Sequence, residues 1–176
     1  MKIIFLDIDG VLNSQDYYEK NQSIDFRKQP FDPACILCLQ TIVKETGAKI
    51  VLSSSWRGGW NKDPSKLQLE GSLLNEIFSA YGIEIYDKTP SLLVGKRPME
   101  ILAFLKEMKK KKESVDSFLI IDDNDFGWKK YRMDHRLVKT DFIHGGLKEI
   151  HVKPCIDILT KKHIIKDLLF RITYLL

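Results

Sequence analysis

Ile3-Ile4-Phe5-Leu6-Asp7-Ile8-Asp9-Gly10-Val11-Leu12-Asn13 is an apolar run that ends on two carboxylates one residue apart, followed at once by glycine. A buried strand does not ordinarily finish on two uncompensated charges, because desolvating even one unpaired carboxylate is costly. A divalent cation held by oxygen ligands is the obvious compensation. The spacing also separates the two acids. Asp7 falls at the strand's carboxyl end, and Asp9 lies just past it, where Gly10 lets the chain turn and swing the second carboxylate back. One can then attack while the other moves a proton. A plain Asp-Gly turn after an edge strand would explain the same letters, so the rest of the chain has to supply partners.

The pattern beyond residue 13 alternates strand and helix. Residues 11–31 read as a loop or hairpin. Asp32-Pro33 is a helix start, acid as cap and proline in the first turn, and Gly47 a helix stop. Strands are expected at Lys49 to Leu52, Ile83 to Tyr86, Phe118 to Ile121 and Arg136 to Lys139. Helices are expected over 69–81, from Pro98 to about Lys111, and from about Pro154 onward. Short apolar strands alternating with amphipathic helices predict an α/β fold with a central parallel sheet covered on both faces, a three-layer sandwich. In such sheets the ligand sits outside the strands' carboxyl ends.

Three of those ends carry polar chemistry. Asp7 and Asp9 follow the first strand, Ser53-Ser54-Ser55-Trp56-Arg57 the second, and Asp122-Asp123 the fourth. Carboxylates converging at one sheet edge repel unless a hard cation neutralises them, and oxygen ligands beside a phosphate favour magnesium. A serine hydroxyl and backbone N–H groups in a turn after a strand make a phosphate cradle. Counting along the strand favours Ser54, with Ser53 and Ser55 as neighbours of open role. Arg57 can grip a phosphate bidentately or serve as an ion-pair partner.

FLDIDGVLN (5–13), IVLSSSWR (50–57), IIDDNDF (120–126) and VKTDFIHGGL (138–147) together resemble the haloacid dehalogenase (HAD) phosphohydrolases. The likeness is to the HAD domains grouped with Swiss Army knife RNA-repair proteins, and it spans about residues 3–160. It implies a HAD-like Rossmannoid domain over 1–160; residues 161–176 match no motif of the family and read from their apolar stripe as a C-terminal amphipathic helix packed on that domain. The two gaps that hold cap domains in the family are short here, which implies a minimal cap or none. The resemblance also implies a basic residue near a helix start that balances the nucleophile's charge. Lys96 is preferred and Arg97 is the alternative.

The chemistry so implied is a phosphatase reaction. Asp7 attacks phosphorus, Asp9 protonates the leaving oxygen, and an aspartyl phosphate is then hydrolysed. Asp7, the Asp9 backbone carbonyl and Asp122, with Asp123 in support, would hold Mg2+. The expected partner is a phosphorylated substrate, either a small molecule or a nucleic-acid end. Tyr17, Tyr18, Phe26, Trp56 and Trp60 could stack on a base or simply cover the sheet end. A phosphotransferase and a non-catalytic phosphate- or RNA-binding module are the alternatives.

Composition sets the remaining bounds. The chain has 176 residues, 44% hydrophobic and 30% charged, with net charge +4. That suits one domain with a full core. No stretch reads as a membrane span or a signal peptide. Three cysteines, Cys35, Cys38 and Cys155, with no secretion signal predict reduced thiols and a cytoplasmic protein. Cys35-x-x-Cys38 lies in an amphipathic helical pattern without a second ligand pair, so it reads as core rather than zinc. Lys109 to Lys112 read as a solvated helix end. The stripe Ile164, Ile165, Leu168, Leu169 and Ile172 predicts a helix packed on the domain or on a partner, with the protein a monomer or homodimer.

Overall fold

The computed structural model describes residues 1–92, 96–161 and 164–175, with side chains in the last stretch from Asp167 onward. Among the described residues, five strands form one sheet in the order β3-β2-β1-β4-β5, and every pair is parallel. They are β1 (Lys2–Leu6), β2 (Lys49–Leu52), β3 (Ile85–Lys88), β4 (Ser117–Asp122) and β5 (Leu137–Lys139). The helices are α1 (Gln15–Lys20), α2 (Pro33–Thr46), α3 (Leu69–Ala80), α4 (Arg97–Lys110), α5 (Glu149–Thr160) and α6 (Ile164–Tyr174).

The layers follow from the two-residue period of a strand. Ile4 and Leu6 of β1 face one side and pack with Leu39 and Ile42 of α2, Leu74 and Phe78 of α3, and Cys155 and Leu159 of α5. Ile3 and Phe5 face the other side and pack with Ile101, Phe104 and Leu105 of α4. Central strands covered on both faces are apolar throughout, as β1 and β4 are. No inserted domain interrupts the described residues between β1 and β4.

Local chemistry explains most boundaries. Asp32 accepts from Ala34 N at 2.9 Å and caps α2, and Gly47 ends it in the left-handed region. The third strand begins two residues later than the pattern suggests. Gly82 N donates to Ser79 O and Ile83 N to Phe78 O, a Schellman closure of α3 that uses Ile83 as its buried plug. The expected loop over 11–31 contains the short α1, capped by Ser14 Oγ at Tyr17 N. The last-predicted helix starts at Glu149, five residues before Pro154, which sits exposed inside α5. Burial of Cys155 and Leu159 against the sheet offsets the amide that proline lacks.

α6 docks through residues other than the expected stripe. Phe170 is buried against Phe118, Arg171 donates to the Val115 carbonyl, and Asp167 pairs with buried Arg136. Leu168, Leu169 and Ile172 are 44–56% exposed. The side chains of Ile164 and Ile165 lie outside the described residues. No helix among the described residues is long and apolar enough to cross a membrane. All three cysteines are free, and Cys35 and Cys155 are buried in the core.

Candidate active site

The residue following β1, β2, β3 and β5 extends the hydrogen-bonded ladder by one rung. Asp7 N donates to Ile121 O, Ser53 N to Leu6 O, Thr89 N to Leu52 O and Thr140 N to Asp122 O, at 2.9–3.1 Å. Asp122 itself is the last residue of β4. The result is a row of polar side chains along the carboxyl edge of the sheet, in the order Thr89, Ser53, Asp7, Asp122, Thr140. All five are buried. Sheet register alone therefore brings together side chains from distant parts of the chain.

Carboxylate oxygens of Asp7, Asp122 and Asp123 lie within 4.8 Å of one another. Arg97 answers this charge. Its Nη1 is 2.5 Å from Asp7 Oδ2 and 2.7 Å from Asp122 Oδ2. Its guanidinium also stacks 4.9 Å from the Phe126 ring centroid. Burial opposes the charge on Arg97, but the two carboxylates hold its pKa above the ordinary value. A cation at the first position of a helix works against the helix dipole, a local cost that the two carboxylates offset. Burial and the Asp7 charge push the Asp122 carboxyl up to about 7, against the pull of Arg97. The same two causes raise Asp123. One guanidinium among three clustered carboxylates leaves the group short of positive charge, and its all-oxygen donors suit a hard divalent cation.

Lys96 stands elsewhere. It is the exposed N-cap of α4, and its side chain makes no hydrogen bond or ion pair with a described residue. Asp9 is exposed and its side chain stands apart from the acidic triad. It accepts from Asn13 Nδ2 at 2.9 Å and from Trp56 Nε1 at 3.2 and 3.3 Å. Asp125 caps the turn at Gly127 N.

The three serines part company. Ser53 is in register with Asp7, and its fully buried Oγ has no hydrogen-bond partner among the described residues. Ser54 Oγ accepts from Trp56 N at 3.3 Å, capping the 3₁₀ turn Ser55–Gly58. Ser55 is exposed at the rim of a cleft of about 710 Å³ that Arg57, Lys88, Lys96 and Arg97 also line. Arg57 is committed to structure. It pairs with buried Glu100 at 2.8 Å and donates to the carbonyls of Ser53 and Ser54. Burial lowers its pKa despite Glu100.

Several contributors carry no motif. Lys88 Nζ donates to the carbonyls of Arg57 and Trp60, pinning the serine loop. Thr140 Oγ1 donates to Gly10 O at 2.7 Å. Both are the polar letters that follow an edge strand's apolar core, the one signal that marked them. Tyr17, Tyr18 and Phe26 pack on one another, and Trp60 is buried with its indole on Asn75. Of the five loop aromatics, Trp56 is the one whose polar edge meets a motif acid.

A parallel sheet in this order, with acids after β1 and β4 and a serine after β2, defines a HAD-type domain. Residues 3–152 match the family model for the HAD domain in Swiss Army Knife RNA repair proteins, and the chain belongs to that family. No curated protein and no solved structure matches the chain. HAD domains are in general phosphatases and related hydrolases.

Proposed function

We propose that the protein is a magnesium-dependent phosphatase that hydrolyses a phosphomonoester through an aspartyl phosphate on Asp7. The observation that carries this reading is Arg97 bridging Asp7 and Asp122, with the Ser53 hydroxyl, unpartnered among the described residues, one rung away. Asp7, Asp122 and Asp123 would hold the ion together with the Asp9 carbonyl. When bound, the ion supplies positive charge against the phosphoryl oxygens.

The chain's own residues do the rest. Ser53 offers its hydroxyl to a phosphoryl oxygen, and Arg97 offsets the repulsion between carboxylate and phosphate. Asp7 Oδ forms a bond to phosphorus as the ester P–O bond breaks, and Asp9 gives its proton to the departing oxygen. Asp9, now a carboxylate, takes a proton from water as the water oxygen bonds to phosphorus. The Asp7–phosphorus bond breaks, phosphate leaves and both acids are regenerated. Splitting one displacement into two is the gain of covalent catalysis.

The family description favours a phosphorylated RNA end as substrate. A phosphate-release screen with Mg2+ tests the reading. It would compare aryl phosphate, nucleotides and oligonucleotides bearing a 3′- or 5′-phosphate, with Asp7→Asn alongside. Release that disappears in Asp7→Asn is expected. Full activity in that variant, or oligonucleotide binding without release in the wild type, would overturn it.

A further inference from the structure

Proton transfer by Asp9 requires its carboxylate to be held toward the leaving oxygen. Asp9 is exposed, and an exposed aspartate is ordinarily free to rotate. Here both its oxygens are occupied. Asn13 is 1% exposed, and its Oδ1 accepts from Gly10 N at 3.0 Å. A backbone N–H can only donate, so the amide's other end must face Asp9. Trp56 approaches from a different element, the 3₁₀ turn after the serines. Its Nε1 reaches both Asp9 oxygens, while its ring lies 5.1 Å from that of buried Phe31. Phe31 is itself next to Asp32, whose N–H donates to Leu12 O at 2.7 Å. Ser54 Oγ holds the Trp56 backbone N–H.

We propose that Asn13 and Trp56 form a two-donor cradle that aims the Asp9 carboxylate at the substrate, with Trp56 a positioning residue linking the serine loop to the catalytic acid. This rests on the phosphatase reading. Neither Asn13 Nδ2 nor the indole N–H can accept a hydrogen bond. A proton carried by Asp9 therefore lies on the side turned away from both, toward the leaving oxygen. Trp56 in this role is an orienting donor and not a stacking platform for a base.

The test uses the full chain labelled with 15N at tryptophan. Three indole resonances are expected, and Trp56→Phe identifies one by its loss. In Asp9→Asn that resonance should move while those of Trp60 and Trp128 stay, since their N–H groups bond Asn75 and Asn124. In turnover with Mg2+, Trp56→Phe keeps the ring packing on Phe31 and should lower kcat about tenfold or more, inside the range a general acid contributes, with KM little changed. Acid quenching should trap more phosphoenzyme on Asp7, because the second step needs Asp9 as well. An indole resonance that ignores Asp9→Asn would overturn the cradle regardless of activity. A raised KM at unchanged kcat would overturn it in favour of base stacking. Wild-type protein that releases no phosphate while the indole still responds would overturn the phosphatase reading and the catalytic half of the proposal, leaving the contact itself standing.

Discussion

Thr140 Oγ1 donates to the backbone carbonyl of Gly10 from 2.7 Å, tying the end of β5 to the turn that carries Asp9. The bond joins residues 130 positions apart and is buried. Thr140→Val keeps the shape and removes the donor, leaving a buried carbonyl short of a partner. A stability loss of about 1–3 kcal/mol is expected in urea unfolding, together with reduced phosphate release. An unchanged midpoint would mean that water replaces the hydroxyl.

Gly10 is constrained from the other side as well. Its φ is +75°, and an added Cβ would come within 2.3 Å of Asp123 Oδ2. Gly127 has nearly the same φ, +72°, but open space around it. Gly127→Ala therefore costs only the backbone term, about 1–2 kcal/mol. Gly10→Ala must also displace Asp123, so it should weaken the Mg2+-induced rise in Tm that the glycine at 127 leaves intact. Equal metal responses in the two variants would argue against Asp123 as a ligand.

Arg97 and Lys96 are adjacent in sequence and should differ sharply in effect. Arg97→Met leaves Asp7 and Asp122 facing each other without a cation. Loss of one partner from a buried ion pair destabilises by about 3–5 kcal/mol, though protonation of Asp122 lessens this at low pH. Turnover should fall at least a hundredfold, about the effect of losing one electrostatic donor to the transition state. Lys96→Met should stay close to wild type in both stability and kcat. A larger kcat loss at Lys96 than at Arg97 would reverse the assignment.

Ser53 and Ser54 allow a matched comparison by single hydroxyl deletion. Ser53→Ala removes a hydroxyl with no partner among the described residues, so stability should hold or rise while KM for the phosphoester increases. Ser54→Ala removes the cap of the turn that presents Trp56 and should cost about 1 kcal/mol of stability. Inhibition by inorganic phosphate, compared between the two, identifies the hydroxyl that touches substrate.

The Cys35 and Cys155 thiols are pushed up to about 12, chiefly by burial. The folded chain thus keeps protons that the unfolded chain releases above the ordinary thiol value of about 8.5. Their contribution to stability is full below that value and is lost as pH rises from it toward about 12. With a disulfide reagent at pH 8, neither thiol should react in the native protein, and both should react in guanidinium. Fast native labelling of Cys155 would mean that α5 separates readily from α2.

Much of the site was legible because its chemistry is local to strand ends. Asp7, Asp122 and the serine run each follow an apolar run, and a parallel sheet has only one edge where all can meet. The choice between Lys96 and Arg97 was not legible. Both stand before Pro98, and the first turn of α4 decides which faces the acids. Counting along the strand points to Ser54, whereas the register Leu6–Leu52 puts Ser53 beside Asp7. Arg57 looked equally suited to phosphate or to an ion pair. Only the position of Glu100, 43 residues on, commits it to the second.

The amino-acid sequence by itself determined the order of elements, the parallel sheet and the identity of the acids, because strand period, helix caps and the cost of burying charge all act over a few residues. The tertiary structure decided which cation balances those acids, which serine stands beside Asp7, and that Trp56 meets Asp9. Those outcomes depend on sheet register and on the rotation of α4 and the serine turn about their own axes. Both are set by packing between residues far apart in the chain, and no local pattern encodes them.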